Sequence, residues 1–330
     1  MRRVIITCLT LCLTVAAFAQ YIPAFPNKEK RDPGTEYWGR RNAFRHLEIS
    51  LTAGTTGIGL DIAVPLSRFM QFRAGYDYMP QFKKSFDINL AGGGQAARQY
   101  NDQGYRVRTP FDKIEQYVYD QTGMDLDDHI VMKGKMTMHN LKLLLDIYPL
   151  KYNKHWHLTA GVYWGPEEFA YAENTQESLK TLNLMASYNQ QYNQAGPDDA
   201  IKGYGELALY PGDYAHDIIQ GLTVHRTGDP YLTEPTEQRK VSVSIRSNAV
   251  KPYFSIGYTG RLLRYRDDWK VSAELGALIW GGSPSQRMHD GMDLSRDVKN
   301  IPGGFGDLVG VIDFLKAYPV LNVRFAKTLF

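Results

Sequence analysis

Ten charged residues sit at every-second positions in otherwise apolar stretches: Glu48, Asp61, Arg73, Asp77, Lys142, Asp146, Arg261, Lys270, Glu274 and Arg324. They comprise five acids and five bases. Charges matched in this way can neutralise one another away from water, whereas an unmatched charge is costly to bury. Lining a wet conduit, the same residues would offer an ion or small solute a path. Packed in a narrow lumen they would form a salt-bridged plug, and a small lumen favours the plug.

A second kind of chemistry is hinted at by three histidines with acidic neighbours. His129 follows Asp127 and Asp128, His216 lies between Asp213 and Asp217, and His289 precedes Asp290. An imidazole oriented by a carboxylate could activate Ser283, Ser285 or a water. No serine motif, paired-histidine metal spacing or complete calcium-loop signature accompanies them. No catalytic residue, cofactor site or metal site is therefore assigned.

The matched charges must be positioned by strands. In 47–53 the apolar residues Leu47, Ile49, Leu51 and Ala53 alternate with Glu48, Ser50 and Thr52, which puts two chemistries on two faces. Seven further segments repeat the pattern. Their apolar sets are Ile58 to Val64, Phe72 to Tyr78, Leu141 to Ile147, Trp156 to Trp164, Phe254 to Tyr258, Val271 to Ala277 and Leu321 to Phe325. The second, fourth and sixth connections are short; the third, fifth and seventh are long, at about 80–135, 165–250 and 281–316. The first connection, Gly54 to Gly57, is a tight turn. Alternating connection lengths are what an up-and-down membrane barrel requires, with long loops outside and short turns in the periplasm.

The long connections carry helical signals of their own. Thr109-Pro110 followed by Asp112 reads as a helix start, with Phe111, Ile114 and Val118 on one face and Gly123 as a stop. Leu179, Leu182 and Met185 within 175–192 have helical spacing, as do Leu308, Val311, Ile312 and Leu315 before Pro319.

Arg2 and Arg3, the apolar stretch Val4 to Ala16 and the small-x-small site Ala17-Phe18-Ala19 read as an export signal over 1–19. Its removal takes the formal charge from +3 to +1, and nothing in the balance calls for nucleic acid. Cys8 and Cys12 lie inside that leader, so no disulfide framework follows it. Residues 20–45 read as a periplasmic N-terminal arm, and 46–330 as the barrel. A hydrophobic content of 43% with mean hydropathy −0.38 fits apolar residues spread thinly along alternating strands.

Aromatics give a geometric check. Trp156 and Trp164 share a face and lie ~26 Å apart at ~3.3 Å per residue, close to the height of an outer-membrane apolar band. With Trp269 they are assigned to the membrane interfaces. Trp269 and Trp280 are an odd number apart, which requires a bulge or sends one inward.

The leader, the even strand count, the alternating connections and terminal Phe330 make the chain resemble small bacterial outer-membrane barrels of the OmpA and OmpX type. That resemblance implies an all-β, eight-stranded antiparallel up-and-down transmembrane barrel with long, partly helical extracellular loops. It implies as partners the outer-membrane lipid and the barrel-assembly machinery. The chain departs from the family's terminal signal, because Thr328, Ala326 and Arg324 share the phase of Phe330. A bulge near Lys327 would bring Leu329 and Phe325 into phase instead. The expected role is structural or surface-interacting through the loops; the alternatives are a narrow channel and an outer-membrane hydrolase or acyltransferase.

Overall fold

The computed structural model describes residues 46–329 except 68, 81–82, 137, 151–152, 264–265 and 315. The expected leader, the N-terminal arm and Phe330 lie outside the described residues. Eight strands form the barrel: β1 (Glu48–Gly54), β2 (Gly57–Pro65), β3 (Met70–Tyr78), β4 (His139–Ile147), β5 (Trp156–Trp164), β6 (Val250–Leu263), β7 (Arg266–Ile279) and β8 (Ala317–Thr328). Each pairs antiparallel with its neighbours in sequence, and β1 pairs with β8 to close the ring.

Following the register once round, from Thr328 through Glu48, Ala63, Arg73, Leu144, Gly161, Tyr253 and Leu278, returns to β8 at Tyr318, ten residues from the start. That stagger tilts the strands, and eight tilted strands leave an interior only wide enough for side chains to fill.

The two faces of the wall invert the pattern of a protein surrounded by water. On β2, Leu60 is 58% exposed while its neighbour Asp61 is 0% exposed. Ile58, Ile62, Phe72, Leu141, Leu143, Leu158, Phe254, Ile256, Leu275 and Phe325 also point outward. Such a contiguous apolar surface is stable against hydrocarbon, not water. Among the described residues no helix is long and apolar enough to cross a membrane.

The β1–β2 turn depends on Gly57, whose φ is +105° and whose Cβ, if present, would strike the backbone carbonyl of Tyr78. Thr56 in that turn donates to Asp77 at 3.0 Å, which ties the hairpin to β3.

The three long connections fold together into a cap rather than lying as separate loops. Its sheet runs in the order Pro230–Thr233, Leu207–Tyr214, Lys83–Gly92, His129–Met136, Glu168–Asn174, Ser242–Arg246, Ser285–Met288. Helices α1 (Pro110–Thr122), α2 (Ser178–Gln194) and α3 (Gly303–Phe314) belong to it. The first begins at Thr109, whose N–H donates to Asp112 at 2.7 Å, and ends at Gly123 in the left-handed conformation. Phe86, Ile88, Leu90, Phe111, Ile114, Ile130, Met132, Leu182, Met185, Val243 and Phe305 share one core.

Five cap strands prolong barrel strands. Lys83–Gly92 follows β3, His129–Met136 precedes β4, Glu168–Asn174 follows β5, Ser242–Arg246 precedes β6 and Ser285–Met288 follows β7. Their order across the cap sheet is the order of those barrel strands in the ring. The wall thus continues upward on the β3 to β7 flank.

Candidate functional site

The inward residues of the barrel make one connected charged cluster. At the short-turn end Lys270 on β7 reaches Glu48 on β1 at 2.8 Å, and Glu48 meets Arg324 on β8 at 3.3 Å. Arg324 lies 3.7 Å from Glu274 and 3.9 Å from Asp146. Arg73 holds both oxygens of Glu274, at 2.8 and 3.1 Å, and reaches Asp146 at 3.0 Å. Its distance to Asp61 is 3.8 Å. Lys142 bridges Asp61 at 2.7 Å and Asp77 at 2.5 Å.

Eight of the ten alternating charges are therefore buried and joined: Glu48, Asp61, Arg73, Asp77, Lys142, Asp146, Glu274 and Arg324. Lys270 joins them from the rim with its side chain 38% exposed. Arg261 lies opposite Lys270 across the β6–β7 pair, half-buried.

Polar neighbours complete the cluster. Thr52 donates to Asp61 at 2.8 Å and Thr159 to Asp146 at 2.8 Å, while Ser272 lies 3.3 Å from Arg324. His157, fully buried on β5, has Nε2 3.5 Å from Glu274, too long for a strong hydrogen bond. His157 and Lys251 are buried in the lumen beside the ten alternating charges. Strand parity marks both as inward, but His157 follows an aromatic anchor and Lys251 precedes a proline. Lys251 is buried near the long-connection end, with the Pro166 and Ala249 carbonyls at 3.4 and 3.5 Å.

Inward glycines make room for these large side chains. A Cβ on Gly75 would collide with Asp61, and one on Gly257 would collide with the His157 ring.

Above the charges lies an apolar layer where barrel and cap meet. Tyr163 and Tyr253 pack edge to face at 5.1 Å, and Leu144, Leu278, Val320, Met79, Met138, Phe169 and Ile245 fill the space around them. Trp280 packs on Phe169 at 4.6 Å and on Tyr318 at 5.6 Å. Its inward position resolves the odd spacing from Trp269. Trp156, Trp164 and Tyr78 instead point outward at the two ends of the wall. Trp269 is partly exposed at the short-turn end, with the Lys327 ammonium 5.2 Å over its ring. The β8 register is unbroken through Lys327, so no bulge occurs there: the hydrogen bonds to β1 and β7 hold Lys327 on the same side as Phe325.

The three histidines with acidic neighbours all lie in the cap. His129 meets Asp128 at 2.7 Å, and Arg98 grips the same carboxylate with two contacts of 2.8 Å. Burial raises the Asp128 pKa, but the hydrogen bonds from Arg98 and His129 outweigh it and hold the group below the usual carboxylate range. His216 pairs with Asp297 at 3.5 Å rather than with Asp213 or Asp217. Nε2 of His289 contacts the Glu234 carbonyl, while Asp290 accepts from Tyr231 and Thr233. Ser283 donates to the Asp313 carbonyl. Among the described residues no group of three or more histidine or carboxylate ligands is arranged for a metal ion.

The closed eight-stranded ring, its apolar outer wall and its charged interior define a membrane β-barrel of the outer-membrane type. No protein-family model matches the chain, and no curated protein matches it in sequence. Among solved structures it is similar to CarO2 of Acinetobacter baumannii, at 13% identity and a TM-score of 0.38, covering 86% of this chain and 98% of that one. A major outer membrane protein of Thermus thermophilus covers the same shares at 10% identity and a TM-score of 0.25. The toluene transporter TodX of Pseudomonas putida covers 90% of this chain and 70% of its own, at 9% identity and a TM-score of 0.19.

Proposed function

We propose that this protein is a closed barrel of the bacterial outer membrane, in which the wall anchors and the folded cap meets the exterior. The observation that carries this reading is the filled lumen: a connected charge cluster, then a layer of tyrosines and aliphatic side chains, then the cap. A solute would have to break several buried ion pairs and displace the aromatic layer. Function then resides in the cap surface, with the long connections outside and both ends of the described chain on the periplasmic side.

Reconstitution in planar bilayers tests it. The expected result is no steady conductance. A reproducible open channel, with ion selectivity altered in Glu274→Gln or Arg73→Gln, would overturn this reading in favour of transport.

A further inference from the structure

The outward face of the wall changes chemistry at the upper rim. Along β4 and its prolongation, residues of one parity read Leu143, Leu141 and His139, then Lys135 and Lys133. Along β6 the outward residues Ile256, Phe254 and Val250 give way to Arg246, and along β7 Leu275 and Ile279 give way to Arg287. The core residues Ile130, Met132, Val243, Ile245 and Met288 occupy the other face of the same cap strands. The basic residues therefore stand on the side that faces lipid lower down.

Part of this face is a groove of about 890 Å³ lined by Lys83, Lys133, Lys135, Arg239 and Lys240, against the carboxylates Glu173 and Glu177. Lys83 lies directly opposite Lys135 across paired strands, a like-charge arrangement that is unfavourable unless an anion offsets it. Glu173 partly does so, at 3.6 Å from both Lys135 and Lys240. Among the described residues Lys83 and Lys133 make no ion pair. The Tyr171 ring lies between, with the Lys135 and Lys240 ammonium groups 5.7 and 5.4 Å from its centre.

We propose that this groove binds the phosphate headgroup of an anionic membrane lipid. Height above the rim selects this ligand. Lys135 is four residues beyond His139, which pairs with Tyr78 at the aromatic edge of the wall, and four tilted strand residues rise roughly 10 Å. That is just beyond the ~5–8 Å interfacial layer, and a lysine stem reaching back down returns its ammonium to the layer. Clustered bases immediately beyond an apolar band are held near anionic lipid surfaces, each contributing about fivefold in affinity. The inference rests on the membrane reading of the apolar wall but not on whether the lumen is closed.

The test uses the full-length protein in neutral detergent, with native mass spectrometry of bound phosphatidic acid, phosphatidylcholine with the same chains, and inorganic phosphate. Phosphatidic acid should bind best, and binding should fall at least about tenfold in the triple variant Lys83→Gln/Lys133→Gln/Lys135→Gln. A matched loss of charge on the helix side of the cap, Arg108→Gln/Lys113→Gln/Lys202→Gln, should leave it unchanged. Heat-shifted mobility on gels shows that each variant retains its barrel. Equal binding of phosphatidylcholine, or no effect of the triple variant, would overturn the proposal. So would inorganic phosphate competing at the affinity of the lipid, which would identify a site for a soluble oxyanion. A conducting lumen in the bilayer assay would leave all these outcomes unaltered.

Discussion

Arg73→Met removes the cation at the centre of the lumen while roughly keeping its length. The guanidinium is 1% exposed and contacts Glu274, Asp146 and Asp61. After the change Asp61 keeps Lys142, while Glu274 and Asp146 share Arg324 at distances no shorter than 3.7 Å. Breaking one buried pair costs about 3–5 kcal/mol, chiefly because a charge is left without its partner. With three carboxylates affected, the upper half of that range is expected. Urea titration of the barrel in lipid vesicles, read by gel mobility and tryptophan fluorescence, measures the loss. Glu274→Leu alone should cost less, since Arg73 retains Asp146. The double variant should be more stable than the sum of the single effects by about 1–3 kcal/mol, because two charges leave together. A loss below about 1 kcal/mol for Arg73→Met, or strict additivity in the double variant, would refute the claim that the cluster acts as one unit.

Leu143→Arg puts a charge on the lipid face between Ala74 and Val162; it should cost about 2–4 kcal/mol in the same titration and lower the yield of assembled barrel in cells. The depressed Asp128 pKa makes the charged form stabilising, so its contribution is complete above the ordinary aspartate value near 4 and lost as pH falls through the lower, folded value. Hydrogen exchange of His129–Met136 should stay level from about pH 8 to 5 after correction for intrinsic rates. It should rise below about pH 4, and Arg98→Gln should weaken that pH dependence. Protease added to intact cells should cut mainly at the exposed hairpin 218–225, whose tip residue Leu222 projects fully into solvent, and leave the cap core whole. An epitope inserted in the exposed turn at Gly196 should be labelled on whole cells, and one at Asn153 should not; the reverse pattern would invert the orientation.

The barrel was legible because an outward apolar and inward polar alternation with period two is strong where one face meets hydrocarbon. Leu141 to Ile147 and Trp156 to Trp164 show it most plainly. Helix α1 was legible for a local reason: Thr109, Pro110, Asp112 and Gly123 each perform a terminal task that short-range geometry dictates. The cap sheet was not read from the sequence. Its strand Lys83–Gly92 alternates through Phe86, Ile88 and Leu90, but that signal is short and its partners arrive from 129, 207 and beyond. Only the tertiary fold tells such a strand from an ordered loop. The charged cluster shows the same division: strand parity could list its members, whereas the stagger of ten decides which acid meets which base. Trp280 is the converse case, a residue whose odd spacing announced an exception without saying which way it turned.

Because five cap strands continue five barrel strands in the same order, the two layers share one register. A slip of β4 against β3 would misalign His129–Met136 with Lys83–Gly92 as well, exposing Ile130 and Met132 while drawing Lys133 toward the core. The cap therefore proofreads the assembly beneath it: a wrongly zipped wall also carries an unfolded crown. Among the described residues β8, β1 and β2 carry no cap strand, so the closing seam between β8 and β1 lies on the flank where no strand register above has to match when the ring shuts.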